Sequence, residues 1–293
     1  MKTIFTLLIA ILGVAMLSAI DLANDHDYLK AFMRVRGDAA GGETVYHWTG
    51  KVYGMVPGEK KLELFAFEGF NIARTVPGEE GFELLTREAA FFIDYRTGEI
   101  LETWRNPYTG HEVPVIQIWN DPVNQDFNFS ESDLKFIRMI LPSTDLGDEV
   151  AFHMDIFPFY PSPLPRKEYS LFSQSDTYQA AEFFQFFASR QDLLDPELGS
   201  VPACITWTRI SPWMPFMRMS DRPGNLVFSC RGRKLEGGFD ALPKKIRDYV
   251  LANKPEFAHA PEAWTEPNET SWTYFRKLMD QGLIEVEEKQ DEE

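Results

Sequence analysis

Cysteine is scarce in this chain: two residues in 293, Cys204 and Cys230. No CxxC pair and no Cys/His spacing suited to zinc occurs, so a zinc ribbon, a thioredoxin-type redox motif and a disulfide-dense scaffold are excluded. Basic residues are also outnumbered. Lys and Arg total 29 against 45 Asp and Glu, a formal charge of −16. A chain so acidic repels phosphate backbones, which argues against nucleic acid as a partner. There is no GxSxG elbow, HExxH helix, Walker loop or GxGxxG turn, and the common hydrolase, zinc-protease and nucleotide-binding readings lose their support. No metal and no cofactor is expected.

What is abundant is apolar and aromatic. Apolar residues make up 44%, with 24 Phe, 10 Tyr and 7 Trp. That supplies a large core and excludes a disordered chain. Lys2 precedes an apolar run from Ile4 to Leu17, Ser18-Ala19 offers small residues at its exit, and Asp21, Asp25 and Asp27 follow. This pattern predicts a secretory signal peptide over 1–19. The run is shorter than the ~20 residues of a comfortable membrane span, and an uncleaved anchor is the alternative. No later run is long enough, so no stable membrane span is expected after cleavage. The protein is expected to be exported, periplasmic or secreted, with one β-rich domain over 20–284 and an acidic tail over 285–293.

In an oxidising compartment two cysteines can pair. Cys204 lies in ACITWTRI and Cys230 in NLVFSC. If these runs form a hairpin around SPWMPFMRMSDRPG, the thiols can face each other. Two free thiols buried as small apolar groups are the alternative.

Residues 22–36 read as a helix stopped by Gly37. From Glu43 the period becomes strand-like, in runs over 43–56, 61–75, 82–95, 99–105 and 112–120 broken by Pro57-Gly58, Pro77-Gly78, Thr97-Gly98 and Thr109-Gly110. Further strands are predicted over 148–158, 201–210 and 225–235. Thr177–Leu194, free of Gly and Pro, predicts a helix with Phe183, Phe184, Phe186 and Phe187 on one side. Two more helices follow, from Asp240 to Ala252 and from Asn268 to Gly282. The fold class is mainly β: an antiparallel β-barrel or strongly curled sheet, lipocalin-like or calycin-like, with three to four peripheral helices. A two-sheet β-sandwich is the alternative.

Three long strings, HWTGKVYGMVPGEKKLELFAFEG, YRTGEILETWRNPYTGHEVPVIQIWNDPVN and SPWMPFMRMSDRPGNLVFSCRGRKL, resemble the uncharacterised proteins grouped as domain of unknown function 1838. The resemblance implies a single domain and carries over no catalytic residue.

Two constellations can carry chemistry. Between Arg209 and Lys234 the local charge reverses: Arg209, Arg218, Arg222, Arg231, Arg233 and Lys234 stand against Asp221 alone. Trp207, Trp213, Phe216 and three Met accompany them. Guanidinium forks suit carboxylate, sulfate or phosphate, and aromatic and Met side chains clasp an apolar body. The alternative fate of such arginines is pairing with the surplus acids. On a strand Arg231 and Arg233 share one face, and Phe228 and Cys230 the other. The second constellation is EVAFHMDIF. There His153 and Asp155 leave one face together, about 6–7 Å apart at their roots. They make an acid/base pair if that face lines a hollow and an ordinary solvated face if it meets water. Asp126, Asn128 and Ser130 resemble calcium ligands only faintly, and an Asx-rich turn is the better account.

Three functions follow. The first is a barrel holding an apolar or aromatic small molecule with an anionic group, through Arg209, Arg218, Arg231 and Arg233 with Trp207 and Trp213. The second is a cofactor-independent isomerase, dehydratase or lyase using His153 and Asp155. The third is an interaction protein docking through an exposed 211–224 loop.

Overall fold

The computed structural model describes residues 20–284. The predicted signal peptide and acidic tail lie outside them. Among the described residues fourteen strands and five α-helices follow in chain order. The helices are α1 (Asp25–Arg36), α2 (Glu131–Ile140), α3 (Arg190–Leu194), α4 (Lys244–Asn253) and α5 (Ser271–Asp280). The first strands are β1 (Glu43–Met55), β2 (Leu62–Pro77), β3 (Gly81–Ile93), β4 (Thr103–Arg105), β5 (Glu112–Pro114), β6 (Ile118–Asn120) and β7 (Gln125–Asn128). Then come β8 (Ser143–Asp145), β9 (Glu149–Ile156), β10 (Phe159–Pro161), β11 (Thr177–Gln179), β12 (Ala181–Ser189), β13 (Ala203–Ser211) and β14 (Asn225–Leu235).

Ten strands form one antiparallel sheet in the order β6-β3-β2-β1-β14-β13-β12-β9-β8, with β7 also pairing β3. β4/β5 and β10/β11 are separate ribbons. The two-sheet sandwich is therefore not the architecture. Nor does the ladder close into the expected barrel, since no pairing joins β6 or β7 to β8 among the described residues. The sheet is an open one that curls. α1 fills the gap between its ends, with Phe32 packing on Phe127 of β7 and on Phe152 of β9. α2 packs against β7, β9 and α1. α1 is thus a core helix and not a peripheral one.

The helix begins where Asn24 accepts the Asp27 N–H, and it ends where the Gly37 N–H donates to the Met33 carbonyl. Its buried face (Tyr28, Leu29, Phe32, Met33) recurs at helical spacing. The outer face of β1–β3 buries a second cluster, in which Phe70, Ile72 and Phe91 meet Ile246 and Val250 of α4 and Phe257.

The region 177–194 is strand, not the single helix that was expected. It forms β11, β12 and the five-residue α3. β12 lies between β9 and β13, which satisfy its backbone on both sides. Its Phe residues alternate: Phe184 and Phe186 turn inward, while Phe183 meets the exposed Phe157. Aromatic residues suit such a pleated surface.

Glycines on the concave face permit the tight approach of strands. A Cβ on Gly232 of β14 would stand 2.2 Å from the His47 carbonyl oxygen and 2.8 Å from the Trp48 Cβ. Gly69 of β2 flanks Trp48 from the other side, where a Cβ would meet the indole at 2.9 Å. Both glycines pair with Trp48 in register. Gly232→Val is expected to cost about 3 kcal/mol or more, because the obstructing atoms are backbone. Gly78→Ala, whose nearest neighbour would lie at 3.7 Å, should stay within about 1 kcal/mol. Urea denaturation of the two variants checks the contrast, and equal stabilities would refute it.

Candidate functional site

The concave face encloses a cavity of about 310 Å³. Strand alternation decides what reaches it, and the register sets its walls in rows. One row is polar: Asn120 of β6, Glu88 of β3, Asn71 of β2, Tyr46 of β1 and Lys234 of β14 are successive cross-strand partners. The next is mostly aromatic and apolar, running through Ala90, Gly69, Trp48, Gly232, Ile205 and Phe186. Beyond it lie Gly50, Cys230, Trp207, Phe184 and Met154. The last row pairs Arg209 of β13 with Glu182 of β12.

The cavity therefore carries charge on two sides, within electrostatic reach of each other. On one side, Arg209 Nη2 donates to the Tyr178 hydroxyl at 2.5 Å, and its Nε lies 3.7 Å from Glu182 Oε1. Trp207 Nε1 donates to Glu182 Oε2 at 3.0 Å. Burial depresses the guanidinium, but Tyr178 and Glu182 outweigh it and hold Arg209 above its ordinary value. On the other, Arg36 Nη2 donates to Asn71 Oδ1 at 2.8 Å, and burial lowers its pKa. Glu88 accepts one long hydrogen bond, 3.3 Å, from Asn120 Nδ2. Burial first, and the nearby Glu182 second, push Glu88 up to about 7, against the pull of Arg209 and Arg36.

Three buried polar atoms on this wall lack a hydrogen-bond partner: Trp48 Nε1, Asn120 Oδ1 and Arg209 Nε. Two are donors and one is an acceptor. Buried polar groups are ordinarily satisfied, and these three are enclosed by the packed wall itself and do not face the open hollow. Cys230 also lines the cavity. Burial raises its pKa to about 12, so it is a thiol and not a thiolate.

The residues singled out from the sequence fall in different places. Arg209 and Trp207 point into the cavity. Arg231 borders it, but Arg231 and Arg233 are exposed and alternate to the face opposite Phe228 and Cys230. Convergence of these arginines on the hollow is thus corrected, because the concave face takes the even-numbered positions of β14. Arg218 closes the turn Pro215–Met217 with φ 53° and lies 5.9 Å over the Phe172 ring, away from the cavity lining. Trp213 is buried in the loop, donating to the Arg222 carbonyl at 3.0 Å.

The pair His153 and Asp155 is corrected too. Val150, Phe152 and Met154 take the inner face of β9, so His153 and Asp155 stand on the outer one. His153 Nε2 meets Thr144 Oγ1 at 3.0 Å in an exposed bond. The 211–224 loop is no exposed docking surface, since Trp213, Met214, Phe216, Met217 and Met219 are all buried. Cys204 and Cys230 are both free. The hairpin register pairs Cys204 with Arg233 and Cys230 with Trp207, which puts the two thiols on opposite faces. Asp126 and Asn128 bond each other at the sheet edge, and Ser130 caps α2.

Sequence reasoning missed Arg36, Trp48, Asn71, Glu88, Asn120 and Glu182. A signal exists for the two acids. Glu88 sits in TREAAFFI and Glu182 in AAEFFQFF, lone carboxylates inside strands otherwise rich in apolar residues. Charges rarely enter such surroundings without a purpose.

The fold and cavity define a class: an open, curled antiparallel sheet that walls a small-molecule-sized hollow with aromatic rings and with Arg36, Arg209, Arg231, Glu88, Glu182 and Glu269. The chain belongs to the family described as Protein of unknown function (DUF1838), which matches residues 41–279. No curated protein matches it.

Proposed function

We propose that this protein binds a small aromatic or apolar molecule bearing one anionic group, held within the curled sheet with that group at Arg209. The supporting observation is the 310 Å³ cavity with Arg209 among its lining residues and aromatic rings along its wall. The size lies at the lower end of ligand pockets, and the mixture of aromatic wall and few polar groups is typical of them. Trp48, Trp207, Phe184 and Phe186 offer π-faces to a ring. The mode is lipocalin-like in holding a ligand among strands, although the ladder is open. The proposed site of action lies outside the cytosol, after removal of the leader read at 1–19.

Calorimetric titration with 3-phenylpropanoate tests this reading, with neutral 3-phenylpropanamide as the comparison. Saturable binding of the acid, about tenfold or more tighter than that of the amide, is expected. Absence of binding by the acid, or equal affinity for both, would overturn it.

A further inference from the structure

The cavity contains a group that a simple holding site does not need. Glu88 is surrounded by protein, lines the hollow, and uses one long hydrogen bond from Asn120. Among the described residues no ion pair clasps it, whereas Glu182 is occupied by Trp207 and Arg209. It faces Arg36 from α1, Asn120 from β6, Glu182 from β12 and Arg209 from β13. Asn71, its cross-strand neighbour on β2, is engaged with Arg36. Arg36 lines the same hollow and lies within electrostatic reach of Glu88.

We infer that Glu88 is a general base, and that the cavity catalyses cofactor-free proton transfer at a carbon beside the carbonyl of an aryl-substituted 2-oxo acid. The inference rests on the ligand reading above, with the substrate carboxylate at Arg209. The Glu88 carboxylate takes a proton from the carbon next to the carbonyl. The C–H electron pair becomes the new carbon–carbon π bond, and the carbonyl π pair moves onto oxygen. Arg36, a guanidinium on the same lining and within electrostatic reach of Glu88, meets the oxygen on which negative charge develops. The proton on Glu88 then passes to that oxygen and gives the enol, restoring the carboxylate. No oxidant, reductant or second substrate is consumed. Dry aromatic walls strengthen these interactions by excluding water. A carboxyl group that titrates near neutrality is matched to such a task.

Phenylpyruvate is the probe. Proton NMR in D2O follows loss of its methylene protons with and without the full chain. The protein is expected to accelerate exchange above the buffer rate, and Glu88→Gln to lower that acceleration about a hundredfold or more while 3-phenylpropanoate still binds. The wild-type rate should rise with pH and level off above about 7, because the base must be ionised. His153→Gln, outside the cavity, should exchange at the wild-type rate. If 3-phenylpropanoate binds and exchange is not accelerated, or Glu88→Gln matches wild type, the catalytic inference fails and the binding reading stands. If 3-phenylpropanoate does not bind, both fail.

Discussion

Arg209→Met should destabilise the protein by about 3–5 kcal/mol, because it strands the Glu182 carboxylate in the cavity wall without its cation. Both partners are largely buried, with side-chain exposures of 13% and 18%, so solvent screening relieves little of that cost. Glu182 would keep the Trp207 indole N–H as its one direct partner, and the Tyr178 hydroxyl would lose its donor. The double variant Arg209→Met/Glu182→Gln should recover most of the stability, since an uncharged pair of similar volume replaces a buried ion pair at little cost. It should not recover binding of 3-phenylpropanoate, because the carboxylate then meets no guanidinium at that end. Denaturation curves and calorimetric titration of the three proteins separate the two roles of Arg209. A single variant as stable as wild type would contradict the structural role. A double variant that binds the acid as wild type does would remove Arg209 from recognition.

The second large effect lies where the sheet fails to close. Among the described residues no strand pairing joins its two edges, so packing must hold them. Phe32 is 1% exposed, and its ring centroid lies 6.1 Å from Phe127, 5.7 Å from Phe152 and 5.8 Å from Phe186. One side chain on α1 therefore touches β7 at one end of the sheet and β9 and β12 near the other. Phe32→Ala should cost about 3–5 kcal/mol, the lost transfer free energy plus a cavity that three separate strands cannot easily collapse to fill. Urea unfolding measures it. A loss below about 1 kcal/mol would mean that the edges are held by something other than this wedge.

The two effects share a cause. Curling brings β3 and β6 opposite β9 and β12, and that approach both creates the cavity and places Glu88 within electrostatic reach of Glu182 and Arg209. Tyr46 ties the same region to α1, donating to the Val35 carbonyl at 2.6 Å. Lys234, its cross-strand partner, donates to the Arg34 and Gly37 carbonyls and to Ser200. The helix that plugs the gap is thereby fastened beside Arg36, one wall of the site.

Local chemistry was sufficient to determine much of this protein. Period-two alternation located β1, β2, β3, β9, β13 and β14 to within a few residues, because half-buried strands write their two faces directly into the sequence. The helical spacing of Tyr28, Leu29, Phe32 and Met33 located α1 for the same reason. Alternation does not say which of two faces is concave. His153 and Asp155 share a face, as do Arg231 and Arg233, but only the curl put both pairs on the outside. It likewise left Arg209 and Trp207 inside. Nor could Thr177–Leu194 be read locally, since two neighbouring strands supplied the hydrogen bonds that settled its form. The polar row from Asn120 through Glu88 and Asn71 to Tyr46 joins residues from four strands, and it exists only in the register. Register and curvature are long-range properties, decided by which strands meet and how closely their glycines let them approach.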